Sequence, residues 1–523
     1  MTSRAKSCFP LELGGRVHHT VRSRSPALAL ASAAFTSSLS ASAADYDVTS
    51  DTAAQFYDVR SPTGEVVYAR RRVTTTLGVG AYNLVRQVDK RRLGADLSFV
   101  ARVRYDADYG NGGFTDPGDY GQFVPGLSRG PVDIMYAYLE GRRLLRGWLG
   151  FRAGRQYVVD PLGWWSFDGA LVKVTSPYHV AFEGYGGFEV RGGLPLSTGR
   201  FERDGIWRGD RSGYDPTLYP SFQPTSIAPA MGTSVETAGW SWLNAKLSYR
   251  RVYNTGSSNL SQFQSGLLTP AIYDGMRISQ ERIGGSVNFN LSNWGGVKSG
   301  MVYDFYGSNV TQVFASADVY ATKRVTLSAD YDYYQPSFDA DSIWNFFGAE
   351  PMNYLALRGS VEATEKLSVS ASGYGRVFSI QTQPTRSNSS PGLTDFYNPS
   401  VYPTNGTPFD AGGTASLRYR AGTLTLGAKG AGNFGDSGQR VGGDVYAEKL
   451  ISQRYVLSGR GSLWAWDDKL RTNRDSVSGG YMAGIGYLLG ERSKANLEFD
   501  HYMNSLVGHR FRLVFSLNVA VTP

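Results

Sequence analysis

The sequence is poor in cysteine, histidine, charge and long apolar runs, and each shortage closes off a class of protein. Cys8 is the only cysteine among 523 residues. It lies in a segment expected to be removed, which would leave no disulfide, thiolate metal site or cysteine nucleophile. Of five histidines, those beyond residue 43 are His179, His501 and His509. His179 falls in a turn. His501 and His509 share the apolar parity of their strands. Asp500 and His501, as sequence neighbours, point to opposite faces, which spoils a general-base pairing. No Gly-x-Ser-x-Gly elbow, His-Glu-x-x-His pair or phosphate-cradling loop occurs. Catalysis is therefore not expected, and neither is a heme, zinc or other cofactor held by this chain. Charged residues are 19%, below the roughly 25% of globular averages. The formal +8 is spread along the chain, without the clustered basic patches of nucleic-acid binding. No apolar run approaches the ~18 residues of a membrane-spanning helix. If the chain crosses a membrane, it crosses with strands.

The N-terminus reads as an export signal. Arg4, Lys6, Arg16, Arg22 and Arg24 make a basic stretch, Pro26 to Phe35 a short apolar one, and Ala41-Ser42-Ala43 a small-residue cleavage site. Residues 1–43 are the expected signal peptide. They hold five Lys/Arg and one Glu, so the formal +8 falls to +4 on processing.

Glycine (63) and tyrosine (33) are plentiful, and so is alternation. From His509 to Val519 one face runs His509, Phe511, Leu513, Phe515, Leu517 and Val519, and the other Arg510, Arg512, Val514, Ser516 and Asn518. Successive side chains of a strand point to opposite faces, so one stripe is apolar and the other polar and cationic. Leu93 to Tyr105 repeats the pattern, with Arg102 and Arg104 on the polar side. Val325 to Tyr333, Leu355 to Ala363, Leu367 to Ala371 and Ala415 to Tyr419 follow it. About twenty such segments lie between residues 70 and 520. Many are longer than the usual five or six residues, and they fit the ~9–11 of a tilted membrane strand.

Short connections at Ala421-Gly422-Thr423, Thr364-Glu365, Thr322-Lys323-Arg324 and Ser292 to Gly295 alternate with long ones near 379–408, 334–352 and 254–277. The alternation fails at 191–237 unless a strand is hidden there, and Phe201 to Arg208 is the expected candidate. The expected fold is all-β: a large transmembrane antiparallel β-barrel of about 20–22 strands over 70–523, with long extracellular loops and short periplasmic turns. Residues 44–69 are expected as an N-terminal periplasmic or plug segment, or as a hairpin that could join the wall. The 191–237 connection is, by its length, the candidate for a constriction folded into the lumen.

Charges at mid-strand cannot face lipid without costing roughly 2–4 kcal/mol each for Arg or Lys, so they face a hydrated lumen. The candidate lumen-lining charges are Arg102, Arg104, Arg152, Lys246, Arg250, Arg282, Asp330, Asp332, Arg358, Arg376, Arg418, Arg420, Lys429, Arg460, Arg510 and Arg512. Rings of charge can set ion selectivity. Cross-strand pairs of the same residues can simply tie the wall together.

The stretch Arg152-Ala153-Gly154-Arg155-Gln156, with Trp164-Trp165 and Phe167-Asp168-Gly169-Ala170, resembles a strand–loop–strand of Gram-negative outer-membrane porins, where a Gly-Arg-Gln strand is followed by an Asp-Gly strand. The resemblance covers residues 149–174 in sequence and 71–520 in pattern. It implies passive transport of small solutes in the outer membrane of a Gram-negative bacterium. The chain departs from such barrels in finishing on Val521-Thr522-Pro523, its last aromatic being Phe515. The expected function is a porin-like channel for small polar or charged solutes with a mild anion bias. The alternatives are a barrel sheath around a multiheme cytochrome and a secreted all-β binding protein. The expected partners are outer-membrane lipid and small polar solutes, with a periplasmic or multiheme cytochrome under the sheath reading.

Overall fold

A computed structural model describes residues 45–84, 95–108, 132–190, 227–255, 275–337, 351–378, 408–436, 438–468, 476–505 and 508–521. These residues are almost all strand. The first eight strands are β1 (Asp45–Arg60), β2 (Val66–Tyr82), β3 (Asp96–Asp108), β4 (Val132–Arg143), β5 (Leu149–Asp160), β6 (Gly163–Thr175), β7 (Val180–Glu189) and β8 (Pro229–Thr237). Next come β9 (Leu243–Asn254), β10 (Arg277–Asn290), β11 (Gly295–Asp304), β12 (Asn309–Thr322), β13 (Val325–Tyr334), β14 (Met352–Glu362) and β15 (Leu367–Phe378). The last are β16 (Phe409–Ala421), β17 (Leu424–Gly435), β18 (Gly438–Ile451), β19 (Tyr455–Asp468), β20 (Ser476–Gly490), β21 (Ser493–Asn504) and β22 (Gly508–Val521).

Each strand pairs antiparallel with the next, and β22 returns to β1 from Val48↔Val521 to Arg60↔His509, closing a 22-stranded barrel. Of the readings open for 44–69, the strand pairing is that of a hairpin in the wall: the wall begins at Asp45, and β1 supplies the closing partner of β22. The sequence hides this because the outward face of β1 places Ser50, Thr52 and Ala54 between Val48 and Phe56, which dilutes the apolar stripe. The strand needed between 191 and 237 is β8. Phe201 to Arg208 lie outside the described residues, as does most of that connection.

Burial runs opposite to that of a soluble protein. Leu355, Leu357, Val445, Leu463 and Val477 are exposed, whereas Arg104, Asp106, Arg250, Asp304, Asp410 and Asp500 are buried. The exposed apolar residues fall on one strand parity and the buried charges on the other. In β22, Leu513 and Phe515 are exposed and Arg512 meets Asp500 of β21 across the ladder. A closed sheet with an apolar outside satisfies every ladder hydrogen bond and leaves no edge, which hydrocarbon requires. The connections also sort by end. Turns such as 323–324, 422–423 and 491–492 lie at one end, and the connections after β3, β7, β9, β13 and β15 at the other. An even number of antiparallel strands, an outward apolar band and this asymmetry define an outer-membrane barrel, with the short turns periplasmic and the long loops outside.

Aromatic side chains ring the periplasmic end. Trp148, Tyr178, Trp240, Trp242 and Trp294 are exposed there, and Trp240 stacks on Trp242 at 5.7 Å. Amphipathic rings are favoured at headgroup depth.

The two faces predict opposite outcomes for one substitution. Leu357→Arg, outward at mid-strand in β14, should cost about 2–4 kcal/mol and depress yield or melting temperature of the inserted barrel. Ser360→Arg, on the inward parity of the same strand, should leave heat-modifiable gel mobility unchanged. Equal tolerance of both changes would contradict the assignment of faces.

Candidate functional site

The lumen is not evenly open, and the cause is a fault in the wall. The β5–β6 ladder runs the full length of the hairpin, from Leu149↔Val174 to Asp160↔Gly163. The β4–β5 ladder stops at Ala137↔Arg155; among the described residues the β6–β7 ladder runs to Phe167↔Glu189, with Val190 N–H donating to the Ser166 carbonyl (3.1 Å). Beyond Arg155 and Phe167 the hairpin tip leaves the wall and folds inward. Gly154 and Gly169 are cross-strand partners at this bend. Gly154 has φ +125°, and a Cβ there would strike the Ala137 carbonyl oxygen. A Cβ on Gly169 would strike the Gly186 carbonyl. Only glycine allows the backbones to approach this closely.

The inward face of the tip packs on the wall. Val158, Trp165, Phe167, Leu171, Tyr185, Ala230 and Val252 form one buried cluster, with the Trp165 and Phe167 rings stacked at 4.8 Å. Large apolar side chains contribute about 1.5–3 kcal/mol each on full burial, enough to hold a short hairpin in a hydrated lumen. Side chains then take over from the missing ladder. Arg155 Nη1 donates to the Ile134 carbonyl (3.1 Å), Arg152 Nη1 to the Tyr157 carbonyl (3.2 Å) and Arg250 Nη2 to the Leu162 carbonyl (3.2 Å). Gln156 Nε2 donates to the Gly169 carbonyl and Trp165 Nε1 to Glu189. Arg250, itself buried, also lies 5.3 Å from the Trp165 ring.

The other face of the tip lines the open passage. Tyr157 meets Tyr136 of β4 at 5.9 Å, and Arg155 holds Asp168 through Nε (2.7 Å) and Nη2 (2.8 Å). Beside the tip is a cavity of ≈490 Å³ bounded by Val159, Asp160, Leu162, Arg282, Lys298 and Gln312. The hairpin supplies a constriction among the described residues; most of the 191–237 connection, the expected candidate, lies outside them. The alternation places these residues in plain wall. The signal was there: Val158-Val159 and Trp164-Trp165 are apolar on both faces, which a strand between lipid and water has no reason to be.

The candidate charges fall into two groups. Most are tied across the wall. Arg282 pairs with Asp304 at 3.0 Å, Arg376 with Asp410 at 2.7 Å, Arg460 with Asp444 at 3.0 Å and Arg152 with Glu140 at 3.4 Å. Arg104 reaches Asp133 at 3.5 Å, and Lys246 reaches Glu236 at 3.1 Å. Arg102 joins Asp51, Arg358 joins Asp330 and Arg512 joins Asp500. Asp332 accepts a hydrogen bond from Gln312 at 3.4 Å, and Arg510 lies 4.4 Å from the Tyr502 ring. Arg418, Arg420 and Lys429 are exposed on adjacent strands β16 and β17, with no carboxylate in ion-pair range among the described residues. Lys298 is a further such cation, lying 5.3 Å from the Phe314 ring, and nothing in its sequence neighbourhood sets it apart.

No protein-family model matches the chain, and neither does any curated protein. Solved structures do match. OccAB4 of Acinetobacter baumannii is 7% identical, with 92% of this chain and 99% of that one covered and a TM-score of 0.41. OpdQ of Pseudomonas aeruginosa is 7% identical, with 92% and 100% covered and a TM-score of 0.41. The Pseudomonas aeruginosa outer membrane protein OpdK is 9% identical, with 92% and 99% covered and a TM-score of 0.41. A likeness of this size assigns neither residue roles nor solutes, so function rests on the geometry.

Arg250→Ala removes the Leu162 bond and the ring contact, each hydrogen bond of a charged group contributing about 1.5–3 kcal/mol. Single-channel conductance in planar bilayers should rise and become noisier, with heat-modifiable mobility retained. Conductance identical to the unaltered barrel would mean that the tip does not limit the passage.

Proposed function

We propose that the barrel is a passive channel for small polar or charged solutes with a mild preference for anions. The observation that carries this reading is a closed wall with a polar, charged interior, narrowed by the β5–β6 tip. Most inward cations are compensated by cross-strand carboxylates, so they hold the wall and add little net field. Arg418, Arg420, Lys429 and Lys298 make no ion pair among the described residues, although register sets Asp444 opposite Lys429 and Glu448 on the same face, and three of the four share one stretch of wall. Exposed cations in a hydrated lumen raise the local anion concentration and are screened over roughly 10 Å at 0.1 M salt. Asp332 and Glu362 on the inward parity of β13 and β14 offset part of this, which keeps the preference mild.

The alternatives gain no support. A multiheme cytochrome threaded through the barrel competes for space with the hairpin tip, which reaches β9 through Arg250 and Leu162. A soluble binding protein has no use for an outer surface of exposed Leu, Val and Phe.

The test is bilayer conductance and reversal potential in a KCl gradient. The unaltered barrel should conduct and show a modest chloride preference that shrinks with rising salt. Arg418→Gln, Arg420→Gln and Lys429→Gln together should move the reversal potential toward potassium. Absence of conductance would end the channel reading, and an unmoved reversal potential would end the anion assignment.

A further inference from the structure

Two of the three histidines beyond residue 43 come together on the outward face of the wall. Antiparallel register sets His501 of β21 opposite Phe511 of β22, and Met503 opposite His509. His501 and His509 are therefore diagonal neighbours on the same outward face, a spacing that long or aromatic side chains can bridge. They do so: His501 Nε2 and His509 Nδ1 are 3.1 Å apart. The His501 ring lies flat on Phe511, with centroids 4.5 Å apart and planes 3° apart, and Tyr481 closes its edge at 5.4 Å. The pair sits beside the outer turn that joins β21 to β22, with the His509 side chain exposed.

We propose that His501 and His509 form a two-imidazole site for a borderline divalent transition ion, copper(II) most tightly. Neutral imidazole suits copper, nickel and zinc, and affinity rises to copper along that series of divalent ions. Metal–nitrogen bonds of about 2.0–2.1 Å place two ligand nitrogens about 2.9 Å apart at a right angle and about 3.4 Å apart at a tetrahedral one. The observed 3.1 Å lies between these limits, so the ion replaces the shared proton with a small turn of the two rings. The stack on Phe511 holds His501 at that position before the ion arrives. Among the described residues no third His, Cys, Asp or Glu joins the pair, so water fills the remaining positions. The ion would tie β21 to β22 across the final hairpin, next to the seam with β1.

The test is copper(II) titration of the detergent-purified full-length barrel, read by calorimetry and by electron paramagnetic resonance. One ion per chain is expected, with hyperfine structure from two nitrogens. His501→Phe and His509→Phe keep an aromatic ring in the stack, and each should weaken binding by about tenfold or more and lose the two-nitrogen signature. His179→Phe should change neither. Because binding to the folded state alone stabilises it, copper should also raise the melting temperature of the unaltered barrel, reversibly with EDTA. The proposal is overturned if copper leaves that melting temperature unmoved, if either single variant binds as tightly as the unaltered barrel, or if His179→Phe abolishes the signal.

Discussion

Hydrocarbon offers no partner to a backbone N–H or C=O. A sheet in lipid must return to its own first strand, and β22 does so along thirteen register pairs with β1. Closure then fixes side-chain placement. With no free edge and a strict period of two, one parity of every wall strand meets lipid and the other meets water. The exposed leucines and valines and the inward ion pairs are two consequences of one backbone requirement.

The β5–β6 hairpin is where that requirement is relaxed, and the compensation shows how. Leaving the ladder orphans carbonyls on both sides of the bend. Arg155 and Arg152 answer the Ile134 and Tyr157 carbonyls, acting as portable N–H groups where the neighbouring strand is missing, and Arg250 caps the Leu162 carbonyl in the turn at the tip. The tip also has two inside faces. One is buried against β7, β8 and β9, and the other borders the passage, so apolar residues on both faces are stable there. Function and packing are coupled here: the residues that satisfy the broken ladder also set the width of the channel.

Much of the barrel could be read from sequence because lipid demands a clean stripe. Leu355, Leu357 and Val361, or Leu513, Phe515 and Leu517, alternate with polar partners without interruption. The exceptions have physical causes. In β8, the inward Ala230, Gly232 and Ser234 are small because the hairpin core and the Tyr185 ring lie over them, so the strand alternates small with medium rather than polar with apolar. In β1, small polar residues interrupt the outward stripe. The constriction left only one local mark, the apolar pairs Val158-Val159 and Trp164-Trp165, because period two reports which faces differ, not whether a hairpin bends inward. The pairing of individual charges was equally hidden: Arg376 and Arg418 look alike on the inward parity, and only the register sets Asp410 opposite the first. The meeting of His501 with His509 likewise depends on register, which a one-residue slip would abolish.

The hairpin tip lies inside the barrel against β9 and β10, where a Cβ on Gly284 would come within 2.8 Å of the Leu162 side chain. Cys8 apart, the chain has no cysteine, so Leu162→Cys with Gly284→Cys places a clean thiol pair in the folded barrel. Mild oxidation of the membrane-inserted variant should give an intramolecular cross-link in high yield without loss of heat-modifiable mobility. Two thiols that stay free and react independently with a maleimide would contradict an inward hairpin.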